Sequence, residues 1–116
     1  MDRWIVAGIG TDVGKTVVSA LLLHILDADY WKPVECGPVK DSEQIKIWAP
    51  HVRVHPPAYS FSAPKSPHHA AELEQMSIAH KKIIIPQSNN SLVIEMAGGV
   101  MTPLSLTMTN LNLFSQ

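Results

Sequence analysis

Residues 4–20 read WIVAGIGTDVGKTVVSA: a short apolar run, a glycine-rich turn, and then Gly14-Lys15-Thr16 opening a second apolar stretch. This is the layout of a phosphate-binding loop. A buried strand over 4–8 delivers the backbone into a tight turn, where glycines let several N–H groups converge on a polyphosphate. The helix that follows adds the positive end of its dipole. In that arrangement Lys15 reaches the β- and γ-phosphates of a nucleotide, and the Thr16 hydroxyl binds a magnesium ion. The strict pattern G-x-x-x-x-G-K-[ST] is missed by one place, because Ile9 stands five before Gly14, with Gly8 six before it and Gly10 four before it. A chance Gly-Lys-Thr at an ordinary helix start is the competing reading. It does not account for the strand before the turn and the helix after it.

Composition sets the outer bounds. One domain is the natural count for 116 residues, and 46% hydrophobic residues suffice for a core. A formal net charge of −1 implies no nucleic-acid or acidic-surface partner. A single cysteine, Cys36, excludes an internal disulfide and fits a reducing, cytoplasmic setting. The first apolar run is too short for a signal peptide or a membrane span, and Gly10-Thr11-Asp12 interrupts it.

Outward from the loop, strands and helices alternate. Lys15 to about Leu26 reads as a helix with Val17, Leu21, Leu22 and Ile25 on its buried side, ended by Asp27-Ala28-Asp29. Tyr30 to Val34 reads as a second strand, stopped by Glu35-Cys36-Gly37. Asp41 to Trp48 suits a short helix with an acidic first turn, closed by Pro50. The segment from His51 to Pro64 is proline-rich and reads as loop. Ser66-Pro67 starts a helix running to about Glu74. Ser91 to Glu95 is a buried strand, followed by a turn at Ala97-Gly98-Gly99. The expected fold is α/β, a P-loop NTPase-type parallel sheet with flanking helices, wound in right-handed units.

Two strand ends carry chemistry. Leu92-Val93-Ile94-Glu95 brings a carboxylate to the C-terminal edge of the sheet, where ligands bind and where an acid can hold magnesium. A solvated strand-end Glu is the plainer reading of that run by itself; the phosphate loop and the following glycines favour the functional one. Trp31-Lys32-Pro33-Val34 brings a lysine to a strand end as well. In a phosphate site a second fixed ammonium neutralises charge on a transferring phosphoryl group, and Pro33 biases Lys32 toward extended geometry. The histidines offer no zinc-type spacing: His51 and His55 stand among prolines, and the side chains of His68 and His69 diverge.

With these motifs in order, the chain resembles the dethiobiotin synthetases, ATP-dependent ligases of biotin synthesis. Their loop has the same longer spacing, unlike small-molecule kinases, and lacks the extra lysine that partition-type ATPases carry at the position of Gly10. The matches are Gly10 to Thr16, Lys32-Pro33-Val34 with Gly37, Asp41, Pro64-Lys65-Ser66-Pro67-His68, Glu95 with Ala97-Gly98-Gly99, and Thr102-Pro103-Leu104. The resemblance implies ligation of CO2 with 7,8-diaminononanoate, driven by ATP and Mg2+. It implies that Asp12, Val13, Gly14, Lys15, Thr16 and Val17 wrap the phosphates, and that Thr16, Asp41 and Glu95 hold magnesium. Lys32 and Lys15 become the catalytic lysines, Gly98 approaches the nucleotide, and Cys36 touches substrate. A homodimer is implied for a full-length form.

Three departures stand out. Cys36 replaces the family's hydroxyl residue; if the fold brings it near Lys15 and Lys32, its thiolate is expected to be favoured. Met96 replaces the first glycine after the strand acid. Family members are also about twice as long, so the resemblance covers their N-terminal half only, as one part of a single ligase domain. Two readings follow: an active ligase, or a shortened form that at most binds nucleotide phosphates. In the family-like sheet the first strand lies centrally. Without a later strand beside it, Trp4 to Ala7 is expected to expose backbone groups and an apolar face.

Overall fold

The strand expected ahead of the glycine-rich turn forms as β1 (Arg3–Val6), in which only Val6 is buried, and the helix after it as α1 (Lys15–Ile25). The computed structural model describes residues 2–7, 14–38, 40–63 and 67–97. After α1 come β2 (Ala28–Trp31), β3 (Val34–Cys36), α2 (Asp41–Trp48), β4 (Val54–His55), β5 (Tyr59–Phe61), α3 (Pro67–Leu73) and β6 (Ser91–Glu95). A four-stranded sheet has the order β1-β6-β2-β4, and a separate two-stranded sheet pairs β3 with β5. Every strand pair is parallel. The α/β architecture with flanking helices is therefore the one the strand–helix alternation implies.

The register sorts side chains onto two faces. Trp4 pairs with Val93 and Val6 with Glu95, while Tyr30 also pairs with Val93. Because side chains alternate along a strand, these residues share one face. There Val6, Ala28, Tyr30 and Val93 pack with Ala20 and Leu23 of α1 and Ile45 of α2. The opposite face carries Trp31, Leu92 and Ile94, with Ile83 against them. A second core joins Val34, Tyr59, Phe61, Ala70, Ala71, Ile78 and Ala97 over the small sheet.

Three local expectations change. The strand expected over 30–34 is two strands in two sheets: the chain leaves the main sheet at Lys32-Pro33, where proline has no N–H for a ladder, and Val34 begins β3. The Pro33 carbonyl accepts the Ala58 N–H at 2.8 Å, which ties the break to the start of β5. The loop expected over 51–64 holds β4 and β5, because Val54, His55, Tyr59 and Phe61 find parallel partners that no local pattern announces. Ala28 and Asp29, expected to end α1, are already buried strand. Ser66, expected as a helix cap, and Thr102-Pro103-Leu104 lie outside the described residues.

The inward face of α1 is also rotated from the expected one. Ser19, Ala20 and Leu23 are buried, whereas Val17, Leu21 and Ile25 are 52%, 57% and 78% exposed. Thr16, Ser19, Ala20 and Leu23 fall at helical spacing on one side. That side faces the sheet because Thr16 and Ser19 reach the Glu95 carboxylate. A polar anchor outranks the larger apolar stripe in setting the helix's rotation. Among the described residues β1 lies at the edge of the sheet, as expected without a later strand beside it, and Trp4 and Ile5, on opposite faces, are 42% and 46% exposed.

On the far face, the buried Asp29 carboxylate gathers three donors. Ser88 Oγ donates to Oδ2 at 2.6 Å, Asn90 Nδ2 to Oδ1 at 3.2 Å, and His55 Nε2 lies 2.9 Å from Oδ2. The cluster fastens β2 to β4 and to the segment that leads into β6. Burial alone would raise the Asp29 pKa; the bonds from Ser88, His55 and Asn90 outweigh it and hold the carboxyl below its ordinary range.

Two predictions follow from this packing. Leu23→Ala should cost about 2–5 kcal/mol in urea unfolding, whereas Leu21→Ala should stay within about 0.5 kcal/mol. Asp29→Asn should lower stability at neutral pH by about 1–3 kcal/mol, because donors lose a charged acceptor. A depressed folded pKa gives stability that is present above the unfolded value and lost as pH falls through the folded one. The gap between wild type and Asp29→Asn should therefore close as unfolding is followed down to about pH 2.

Candidate active site

β6 ends in Glu95 at the C-terminal edge of the main sheet, with Val6 of β1 beside it. On the other flank Trp31 pairs with Ile94, so Lys32, one step on, comes level with Glu95. Glu95 is 1% exposed and lies on the face that α1 covers. Its Oε1 accepts the Tyr30 hydroxyl at 3.0 Å and the Ser19 hydroxyl at 3.1 Å. Its Oε2 accepts the Thr16 hydroxyl at 3.1 Å and lies 3.3 Å from the Lys32 ammonium. The same ammonium pairs with Oδ2 of Asp41, the first residue of α2. Two strand ends and two helix starts thus deliver Thr16, Lys32, Asp41 and Glu95 to one place.

The charges are mutually adjusted. Burial works against the Lys32 ammonium, but the Glu95 and Asp41 carboxylates outweigh it and raise its pKa. Burial pushes the Glu95 carboxyl upward, against the pull of Lys32, and the neighbouring Asp41 adds to the rise. Asp41 goes the other way: burial opposes its charge, and Lys32 overcomes that and lowers its pKa. Tyr30 is fully buried beside these carboxylates; burial first, then Glu95, keeps its hydroxyl protonated and available to donate.

At the head of α1, Gly14 takes the cap position with φ +84°, a left-handed conformation that glycine adopts without strain. The first bond of the helical ladder runs from Val18 N–H to the Gly14 carbonyl, 3.0 Å. The N–H groups of Lys15, Thr16 and Val17 precede that ladder, on the side where helices accept anions. The Val17 side chain is exposed, so its expected part in phosphate binding rests on its main chain. Two carboxylates and one hydroxyl meet at Lys32. Such a hard oxygen set suits Mg2+, which keeps several waters and phosphate oxygens of its own. Among the described residues no group of three or more His, Cys, Asp and Glu is arranged to hold a metal.

Of the residues expected to act, Lys32, Asp41, Glu95 and Thr16 are brought together, and Lys15 opens the same helix. Asp12, Val13 and Gly98 lie outside the described residues. Met96 is buried, and its N–H continues the ladder to the Val6 carbonyl at 3.1 Å. Ser19 and Tyr30 were missed. Both were within reach of the pattern: Ser19 follows Thr16 by three on one helix, and Tyr30 precedes Lys32 by two on one strand.

Cys36 corrects an expectation. It ends β3, half-buried against the small-sheet core. Burial raises its thiol pKa; Lys32 and Lys40 pull it down and do not prevail, and Glu74 and Glu35 push with burial. The thiolate is disfavoured, not favoured. Alkylation of Cys36 at pH 8 should accordingly run slower than that of a model thiol peptide, and its rate should climb only at higher pH.

Among the described residues no helix is long and apolar enough to cross a membrane. A family model described as an AAA domain matches residues 2–116. The ATP-dependent dethiobiotin synthetase of Chlamydia pneumoniae is 41% identical over 104 residues, covering 89% of this chain and 48% of the relative. That of Nitrobacter hamburgensis is 39% identical over 118 residues, covering 98% and 56%. That of Cytophaga hutchinsonii is 42% identical over 120 residues, covering 100% and 58%. The chain spans about half the length of these curated relatives. It belongs to the AAA domain family and is similar along its length to the N-terminal half of the ATP-dependent dethiobiotin synthetases.

Proposed function

We propose that residues 1–116 are the N-terminal part of a single ligase domain and carry the nucleotide and metal half of a dethiobiotin synthetase site. The observation that carries this reading is the meeting of Thr16, Lys32, Asp41 and Glu95 at the C-terminal edge of the parallel sheet, beside the start of α1. In the proposed reaction an amine of 7,8-diaminononanoate adds to CO2 and loses a proton, giving a carbamate. A carbamate oxygen takes the γ-phosphoryl group of ATP, releasing ADP. The second amine then attacks the carbamoyl carbon, expels phosphate, loses a proton and closes the ureido ring.

The residues serve this by placement and charge. Lys15 and the main-chain N–H groups around it, from Asp12 to Val17, hold the phosphates in line with the carbamate. Lys32, kept protonated by its two carboxylates, offsets charge that develops as the phosphoryl group transfers. Thr16, Asp41 and Glu95 would hold Mg2+, which neutralises the β- and γ-phosphate oxygens when bound. Cys36 and Gly98 complete the proposed contacts to substrate and nucleotide. A homodimer in the cytoplasm is the proposed state of the full-length form. The share of the relatives that the chain spans favours a second reading for these 116 residues by themselves: binding of nucleotide phosphates without turnover.

Calorimetry with ADP and MgATP tests the site. Lys15→Ala should weaken binding by about tenfold to a hundredfold, the worth of one charge-assisted bond. Equal affinities would sink the assignment. In a form that turns over, Lys32→Ala should lower kcat by about a hundredfold or more while the KM for ATP changes little, as for a group acting on the transition state.

A further inference from the structure

The geometry points to Glu35 as a positioning residue for Asp41, an inference that rests on the site reading above. Glu35 is the middle residue of β3. Its neighbours Val34 and Cys36 pack on the small-sheet core, so the Glu35 side chain leans the other way. It is 3% exposed, and its Oε1 accepts the Ser42 N–H at 2.8 Å. A carboxylate so buried needs an answering donor, and the donor here is the main chain of the first turn of α2.

That helix start lacks what Glu35 supplies. Its cap residue is Lys40, in extended conformation and with no side-chain bond to the helix, since an ammonium has no acceptor. Glu35 provides the missing acceptor from a neighbouring strand, and its charge meets the positive end of the helix. Asp41, whose carboxylate pairs with Lys32, immediately precedes Ser42. Two links therefore join the segment 32–35 to the segment 41–42: Lys32 to Asp41, and Glu35 to Ser42.

The two links differ in what the reaction asks of them. Lys32 must share or release Asp41 when it turns to the phosphoryl group. The Glu35 bond involves no reacting atom and persists through that exchange. Glu35 thereby keeps Asp41 within reach of Thr16 and Glu95 while Lys32 is engaged elsewhere, so that the oxygen set stays assembled for a cation.

The test uses Mn2+ as probe. Bound Mn2+ is measured by electron paramagnetic resonance in the presence of ADP on the full chain, beside metal-free ADP binding by calorimetry. Glu35→Gln keeps an acceptor oxygen in place and should hold Mn2+ affinity within about twofold, whereas Glu35→Ala and Glu35→Asp should weaken it by about tenfold or more. Metal-free ADP binding, which depends on Lys15, should stay within about twofold in all three. If Glu35→Ala fails to melt cooperatively, Glu35→Asp decides. Unchanged Mn2+ affinity in the shortened variants overturns the role, as does a parallel loss of metal-free ADP binding, which would mark a general structural effect. Glu35→Gln behaving as badly as Glu35→Ala would make charge rather than the bond the agent, and overturns it too. ADP binding in wild type that ignores Lys15→Ala is a separate signature: it defeats the site reading, and this inference with it.

Discussion

A carboxylate at the end of a central buried strand governs this molecule. Glu95 is almost wholly out of solvent, and such a group is tolerated only if its oxygens are answered. Two hydroxyls, from Ser19 and Tyr30, satisfy one oxygen, and Thr16 and Lys32 meet the other. Those partners come from two constraints. Tyr30 lies in β2 and Lys32 just past its end, so β2 must lie beside β6 in the observed register. Thr16 and Ser19 share a helix face, so α1 must turn its polar side inward although larger apolar residues lie elsewhere on it. The fold's rotation and register are thus written around one acid.

The division of labour between the two oxygens bears on the chemistry. Oε1 is committed to fixed donors and orients the group. Oε2 faces the Lys32 ammonium, which Asp41 shares, and the Thr16 hydroxyl. Lys32 in turn is shared between two acids of opposite tendency, one with its pKa raised by burial and one with its pKa lowered by the lysine. Such internal neutralisation leaves none of Lys32, Asp41 and Glu95 as an unanswered charge away from water.

Much of this was legible in the residues. The phosphate-loop context, the helix over 41–48 and the strand over 91–95 have strong local signals: a glycine turn, an acidic first turn, an unbroken apolar run. The meeting of Lys32 and Glu95 was readable because both stand at strand ends on the C-terminal edge of a parallel sheet. What escaped was decided at a distance. β4 and β5 are two and three residues long and exist only through their partners. The inward face of α1 was misjudged because apolar size counts for less there than one buried acceptor. The Cys36 thiol was misjudged because Lys15 and Lys32 were weighed without the burial that opposes them; the ammonium groups that act on it are Lys32 and Lys40. Glu35, which looked like a strand stop, is a buried residue in the middle of a strand.

The strand order β1-β6-β2-β4 has a consequence for how the molecule is made. The strand that pairs with both β1 and β2 comes last of the described elements, and the Arg3↔Leu92 pairing joins residues near opposite ends of the described chain. During synthesis β1 and β2 leave the ribosome with no strand between them; until Ser91–Glu95 has emerged, β2 can pair only with β4, and β1 has no partner among the described strands. Contacts this distant in sequence close late, after their loop entropy has been met. The small sheet, the helices and the β2–β4 pair can gather beforehand, but the four described strands of the main sheet join only around β6. Glu95 and the strand that links β1 to β2 arrive together, so a nascent chain joins these strands and places that carboxylate in the same step.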